Sequence, residues 1–167
     1  RVKLLLGVVA GQNITATFVG DASLSNRPMA RITTPLAAIG ANIASRDGQL
    51  PVTITGTPTP MARQHQSKVA SAQIKSAILL AGLNARGITE IIEPHASRDH
   101  SESMLRYFGA DVQQNIADDG RHIIRLQGEA ELHGRQIVVP RDPSSAAFGI
   151  VAALITPQSD VIIPGIG

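Results

Sequence analysis

The chain has 167 residues, 43% of them hydrophobic and 17% charged, which is apolar enough for a packed core and too apolar for a disordered tail. Fifteen Lys and Arg against 13 Asp and Glu leave a net charge of +2, and aromatics are only 2%; neither a broad basic nucleic-acid or membrane surface nor a base-stacking platform is implied. The absence of Cys excludes disulfides, thiolate metal sites and a Cys nucleophile, and it fits a reducing cytoplasm. No apolar run reaches the roughly 18–20 residues that span a bilayer.

Residues 2–9 read as a helix of small and aliphatic residues, followed by a β-branched strand over 14–19. A more amphipathic helix over 28–39 stops at Gly40-Ala41, since Gly just beyond the last apolar helical position is the usual terminator. Asp47-Gly48, ahead of a strand over 52–55, predicts a hairpin. The Pro-rich stretch 56–60 is a loop, with a short extra strand expected near 57–61. A second small-residue helix over 71–83 leads to a strand over 88–92. An amphipathic helix over 99–108 follows and stops at Gly109-Ala110. Asp119-Gly120 predicts another hairpin, leading into a strand over 123–126. A short strand over 136–140, a helix over 144–154 and a strand over 161–163 complete the order.

These pieces recur with a period near 70 residues, as Arg27 and Arg98 or Ile91-Ile92 and Ile162-Ile163 show. The period predicts a duplicated βαβαββ element with two nearly complete copies. The chain opens mid-helix without Met and ends just after a strand-like run, so it is expected to be a piece of a longer protein.

Cations recur at the helix starts. Arg27 sits at the cap if Pro28 is the first helical residue. Arg98 precedes Asp99, which with Glu102 resembles a capping box. Lys68 lies three residues before Ser71, and Arg141 precedes an Asp142 cap with Pro143 in the first turn. A basic group beside a helix N-terminus costs a few tenths to about 1 kcal/mol. A bound phosphate or carboxylate reverses that sign by accepting the free N–H groups and pairing with Arg. One reading is therefore an anion site where repeat-related helix starts converge. The other is that each cation pairs with a carboxylate such as Asp21, Asp99 or Asp142. Ser71 is either a plain N-cap or, with Gln73, a donor to ligand oxygens. His65, His95, His100, His122 and His133 have no metal-ligand spacing, though His95 and His100 flank Arg98.

The same residues carry a resemblance. Gly20-Asp21-Ala22-Ser23-Leu24-Ser25-Asn26-Arg27-Pro28-Met29 resembles the GDxSLxxRPM signature of the 5-enolpyruvylshikimate-3-phosphate (EPSP) synthase family. Ala70-Ser71-Ala72-Gln73-Ile74-Lys75-Ser76-Ala77 resembles its ASAQxKSA helix start. Ser97-Arg98-Asp99-His100-Ser101-Glu102 with Met104-Leu105 is similar to its SRDHTExML segment, and Asp142-Pro143-Ser144-Ser145-Ala146-Ala147-Phe148 to DPSSAAF. The four occur in family order along essentially the whole chain. Ser-Ala-Gln in place of Ser-Ser-Gln is similar to the class II, often glyphosate-tolerant branch.

The resemblance implies an α+β fold of repeated βαβαββ units packed as an inside-out α/β prism, with residues 1–167 forming one domain. This would be most of the first of two domains, the second being absent. It implies transfer of the enolpyruvyl group of phosphoenolpyruvate to the 5-hydroxyl of shikimate 3-phosphate, with release of phosphate, in the cytoplasmic shikimate pathway of aromatic amino acid biosynthesis. No metal or organic cofactor is implied. By matching position, Arg27 would bind phosphoenolpyruvate or glyphosate. Ser71, Ala72, Gln73, Ser97, Arg98 and His100 would hold shikimate 3-phosphate, with Gln73 also near the phosphoenolpyruvate. Arg141 and Lys68 match no family ligand, and Lys3 aligns with the Arg after a loop that this chain lacks. The family's acid–base residues belong to the second domain, so no catalytic residue is expected here and the chain alone is expected to be inactive. Two other readings stay open: a sister transferase acting on UDP-N-acetylglucosamine, and a non-catalytic anion-binding module.

Overall fold

The structure, a computed structural model, describes residues 2–166. The two end positions of the expected 1–167 span lie outside the described residues. The element order is α1 (Val2–Ala10), β1 (Thr15–Phe18), α2 (Ala22–Ser25), α3 (Ala30–Ile39), β2 (Asn42–Arg46), β3 (Gln49–Thr55), β4 (Gln64–Gln66), α4 (Ala72–Gly82), β5 (Ile88–Glu93), α5 (His100–Phe108), β6 (Val112–Ile116), β7 (His122–Gln127) and α6 (Pro143–Ile155). The chain divides into two compact units, the boundary falling between Gly134 and Arg135.

The first unit is α+β and internally repeated. One sheet has strand order β1-β3-β2, the other β4-β5-β7-β6. β3 pairs antiparallel with both neighbours in the first sheet, and β7 does the same in the second. So β4-α4-β5-α5-β6-β7 is a full βαβαββ unit, and α1-β1-α3-β2-β3 is the same unit without its opening strand. β4 lies parallel to β5 on the edge that corresponds to the outer edge of β1. Each hairpin turn is where its Asp-Gly pair predicts. Asp47 and Gly48 both have positive φ, 51° and 70°, as a tight hairpin between twisted strands requires. Gly40 and Gly109 are left-handed C-caps, each N–H bonded back into its helix.

Helices fill the interior and sheets face outward. Seven of the eleven α4 residues are buried, while β2 and β6 expose most of theirs. The core joins Leu6, Ile32, Leu36, Ile78, Leu79, Ile54, Ile91 and Leu126 across both repeats. α1 lies against α4, with Gly7 facing Ala77 and Gly11 facing Ala81. Both contacts advance four residues in the same direction, so the two helices are parallel. A β-carbon on Gly7 would collide with the Ala77 carbonyl, and one on Gly11 would lie 2.7 Å from the Ala81 oxygen. Small residues at this spacing let the backbones touch.

The contacts at the helix ends fix their common direction. α1 and α3 both finish beside residues 57–61, through Thr57 N–H to the Ala10 carbonyl (3.1 Å) and Met61 N–H to the Ile39 carbonyl (2.8 Å). α4 finishes against Glu129, and α5 finishes against His133 close by. α4 begins at the end of β5, where the segment leading into α5 also begins. With α1 parallel to α4, all four helices start on one side of the unit.

Four expectations shift. α3 starts at Ala30 with Met29 as N-cap, not at Pro28 with Arg27. Asp21 caps a separate turn, α2, by accepting from Leu24 N–H at 2.7 Å, and Met29 N–H is held by the Gly48 carbonyl at 2.8 Å. Arg27-Pro28 is therefore the link between two helices. Residues 57–61 form no strand beyond a bridge from Met61 to Arg86. Pro58 and Pro60 remove two donors there, and the strand is β4 instead. Neither 136–140 nor 161–163 is a strand. β-branched residues form strands only where a neighbouring ladder is supplied. The second unit has one pairing among its described residues, the Arg141–Ile166 bridge. Its helix α6 is capped as expected, with Asp142 accepting from Ser144 N–H at 3.0 Å.

The α1–α4 approach is testable by urea denaturation. Gly7→Ala should lower the unfolding free energy by about 1–3 kcal/mol. Gly134→Ala, with nothing within 4 Å, should change it by less than about 0.5 kcal/mol. Equal costs would show that the helices do not meet at Gly7.

Candidate functional site

Two segments meet where α4 starts and β5 ends. Ser71 is the α4 N-cap in extended conformation, and its hydroxyl makes no capping bond. Its backbone N–H instead donates to Glu93 Oε1 at 2.9 Å. Ser97, in the loop between β5 and α5, donates its hydroxyl to the same carboxylate, 2.8 Å from Oε2 and 3.0 Å from Oε1. One side chain thus joins residues 26 apart in sequence. Ala72 and Gln73 follow on the open first turn of α4, where backbone N–H groups have no helical acceptor. Arg98 and His100 follow Ser97, and both are exposed.

Beneath this surface lies an ion cluster. Lys75 Nζ is 3.2 Å from Glu93 Oε2 and 2.7 Å from Glu102 Oε1, and all three side chains are at most 3% exposed. Lys75 also donates to the Ser97 carbonyl at 3.4 Å, and Gln114 Nε2 donates to Glu102 Oε1 at 3.3 Å. Next to this cluster, Ser76 and Ser101 share a 2.6 Å hydroxyl bond between α4 and α5. Glu102 Oε2 has no hydrogen-bond partner among the described residues. Both carboxylates sit at helix starts, where the macrodipole favours negative charge.

This corrects the capping-box expectation at Asp99 and Glu102. Asp99 makes no capping bond, and Glu102 turns inward to Lys75. A buried ammonium is a stronger partner for a carboxylate than a solvated backbone N–H.

Neither Arg27 nor Arg98 forms an ion pair among the described residues, and neither do Lys68 and Arg141. The carboxylates considered as partners are engaged elsewhere. Asp21 caps α2, Asp99 meets Ser103 Oγ at 3.5 Å, and Asp142 caps α6. Asp142 is held below the usual aspartate range by the Ser145 hydroxyl and the Ser144 N–H. The local-pairing reading therefore fails for these cations.

The structure brings together Ser71 and Ser97, and with them the segments carrying Ala72, Gln73, Arg98 and His100. Arg27 lies ahead of α3 on the same side of the unit, with its N–H on the Leu24 carbonyl at 3.1 Å. Among the described residues no hydrogen bond joins it to the other candidate site residues. A cleft of about 650 Å³, lined by residues 58–63 with Asn84, Arg86 and Glu129, lies at the finishing ends of α3 and α4. It contains no candidate residue. Among the described residues no three His, Asp or Glu side chains are placed to hold a metal.

Sequence reasoning missed Glu93 and the burial of Lys75 and Glu102. One signal was present. Lys75 is the sole charge in α4, AQIKSAILLAG, and has no acid three or four residues away. A lone charge in an apolar helix marks a long-range partner.

The model of the family EPSP synthase (3-phosphoshikimate 1-carboxyvinyltransferase) matches residues 2–167. A 3-phosphoshikimate 1-carboxyvinyltransferase of Novosphingobium aromaticivorans is 54% identical over 99% of this chain and 38% of its own length. One of a Ruegeria species is 56% identical over 99% and 37%. The structure is similar to that of EPSP synthase from Acinetobacter baumannii, with TM-score 0.79 and 45% identity over 99% of this chain and 37% of that one. The chain therefore spans well under half the length of the relatives it matches.

Removing the buried ammonium leaves two facing carboxylates without a counter-charge. Lys75→Met should destabilise the fold by about 3–5 kcal/mol, measured by chemical denaturation. A loss below about 1 kcal/mol would mean that the cluster is not closed in solution.

Proposed function

The chain belongs to the EPSP synthase family, and on that premise we propose that it is the substrate-anchoring part of a cytoplasmic enolpyruvyl transferase. The whole enzyme moves the enolpyruvyl group of phosphoenolpyruvate to the 5-hydroxyl of shikimate 3-phosphate and releases phosphate. Residues 1–167 are most of its first domain, and the partner is the second domain. The observation that carries this reading is the junction of Ser71 and Ser97 on one buried carboxylate, beside Arg98, which forms no ion pair among the described residues.

In this reading shikimate 3-phosphate lies across the start of α4 and the loop before α5. Ser71, Ala72 and Gln73 donate to its oxygens from the first turn, where N–H groups and the dipole favour an anion. Arg98 pairs with the phosphate, with Ser97 and His100 beside it. Arg27 takes the phosphoenolpyruvate, or glyphosate in its place, with Gln73 between the two substrates. Each substrate carries a phosphate and a carboxylate, so their approach is opposed by like charge. Fixed cations and helix starts lower that penalty before the reaction and hold the reacting atoms together. The acid–base groups for the transferred protons come from the second domain.

Four measurements test this. Titration of the chain with shikimate 3-phosphate should move the amide resonances of residues 71–73 and 97–100 and leave the Arg86–Glu129 cleft unchanged. Arg98→Ala should weaken that binding roughly 10–100-fold, the loss of a charged hydrogen bond. Arg27→Ala should weaken the response to phosphoenolpyruvate far more than that to shikimate 3-phosphate, and equal effects would reverse the assignment. Both substrates together should yield no phosphate with this chain alone.

A further inference from the structure

We propose that Glu93 is a positioning residue for the shikimate 3-phosphate site, setting the spacing between the α4 start and the Ser97–His100 segment from below. The inference rests on the reading above for its ligand. Glu93 is 1% exposed, so it holds the groups that would touch ligand and does not touch it. Its two oxygens meet four hydrogen-bond or ion-pair contacts from three partners. Oε1 takes the Ser71 N–H and the Ser97 hydroxyl, and Oε2 takes the Ser97 hydroxyl and Lys75. Lys75 carries the tie onward to Glu102 on α5. Only an ionised carboxylate accepts from both sides at once. A glutamine of the same shape would turn its NH₂ toward either the Ser71 N–H or the Lys75 ammonium, and one donor would face another.

Glu93 is also specific in where it acts. The Ser76–Ser101 bond ties the same two helices through their hydroxyls, without a hydrogen bond to the Glu93 carboxylate, Ser71 or Ser97. A purely structural tether and a site-setting tether can therefore be separated in one protein.

The test compares Glu93→Gln with Ser76→Ala in the full 167-residue chain, reading amide shifts, melting temperature and the Kd of shikimate 3-phosphate. Glu93→Gln should displace the free-state amide resonances of both Ser71 and Ser97–His100 and raise Kd roughly 10-fold. Ser76→Ala should lower the melting temperature and leave Kd within about two-fold. An unchanged Kd for Glu93→Gln, or an equal rise for Ser76→Ala, overturns the proposal. If Glu93→Gln does not fold, Glu93→Asp keeps the charge and withdraws it by one methylene. Displaced Ser71 and Ser97 resonances with an unchanged Kd then overturn it equally. If the unsubstituted chain does not bind shikimate 3-phosphate, the functional reading fails first. The free-state shifts still decide the tie: changes in both segments support it, and changes confined to the neighbours of residue 93 refute it.

Discussion

A single ammonium, Lys75, lies between two carboxylates in a place water does not reach. Burial of three ionised groups is costly unless each finds close partners. Here the partners come from α4, β5 and α5, so the cluster forms only when all three elements are in place. The start of α4, the end of β5 and the first turn of α5 then have one relative arrangement. Ser71 and Ser97 inherit their spacing from it, since both donate to the carboxylate that Lys75 holds. The order runs from a buried charge, to the docking of three elements, to two polar segments side by side at the surface.

The internal repeat shows that this is an addition to the fold and not a requirement of it. Both copies build the same antiparallel triplet of strands and the same Gly-terminated helix. Yet Leu5 stands seventy residues before Lys75, and Arg31 stands seventy-one before Glu102. Among the described residues the first copy has no equivalent ion cluster. It fixes its helix start by bonds to backbone carbonyls instead, Met29 N–H to Gly48 and the Gln49 side-chain Nε2 to Asn26. Two copies with one backbone plan therefore hold their helix starts in different ways.

The packing of α1 on α4 gives these surfaces a common side. Glycine and alanine at four-residue spacing bring two parallel backbones into contact, and their starts then face the same way. Parallel helix dipoles side by side repel, and the cost is met by dense apolar packing along the whole length. The same alignment concentrates positive potential on one face of the unit. Arg27 and Arg98 add to it, and neither forms an ion pair among the described residues.

Much of this was legible in the sequence because the signals are local. Gly40 and Gly109 mark helix ends because a left-handed residue must follow the last turn. Asp47-Gly48 and Asp119-Gly120 mark hairpins within four residues, and the small-residue pattern of 2–9 and 71–83 marks two helices. The period near 70 exposed the repeat, and the ordered motifs identified the family. Three features needed the tertiary structure. Whether 161–163 is a strand depends on a neighbouring ladder that composition does not supply. Whether Arg27 caps a helix depends on the turn that Asp21 makes first. Whether Glu102 caps α5 or faces inward depends on Lys75, 27 residues earlier. The sequence by itself determined most of the elements, the repeat and the family, since each is written within a few turns of chain or in its period. The tertiary structure alone decided which charges are buried together, because the energy of a buried charge is set by partners that only folding brings near.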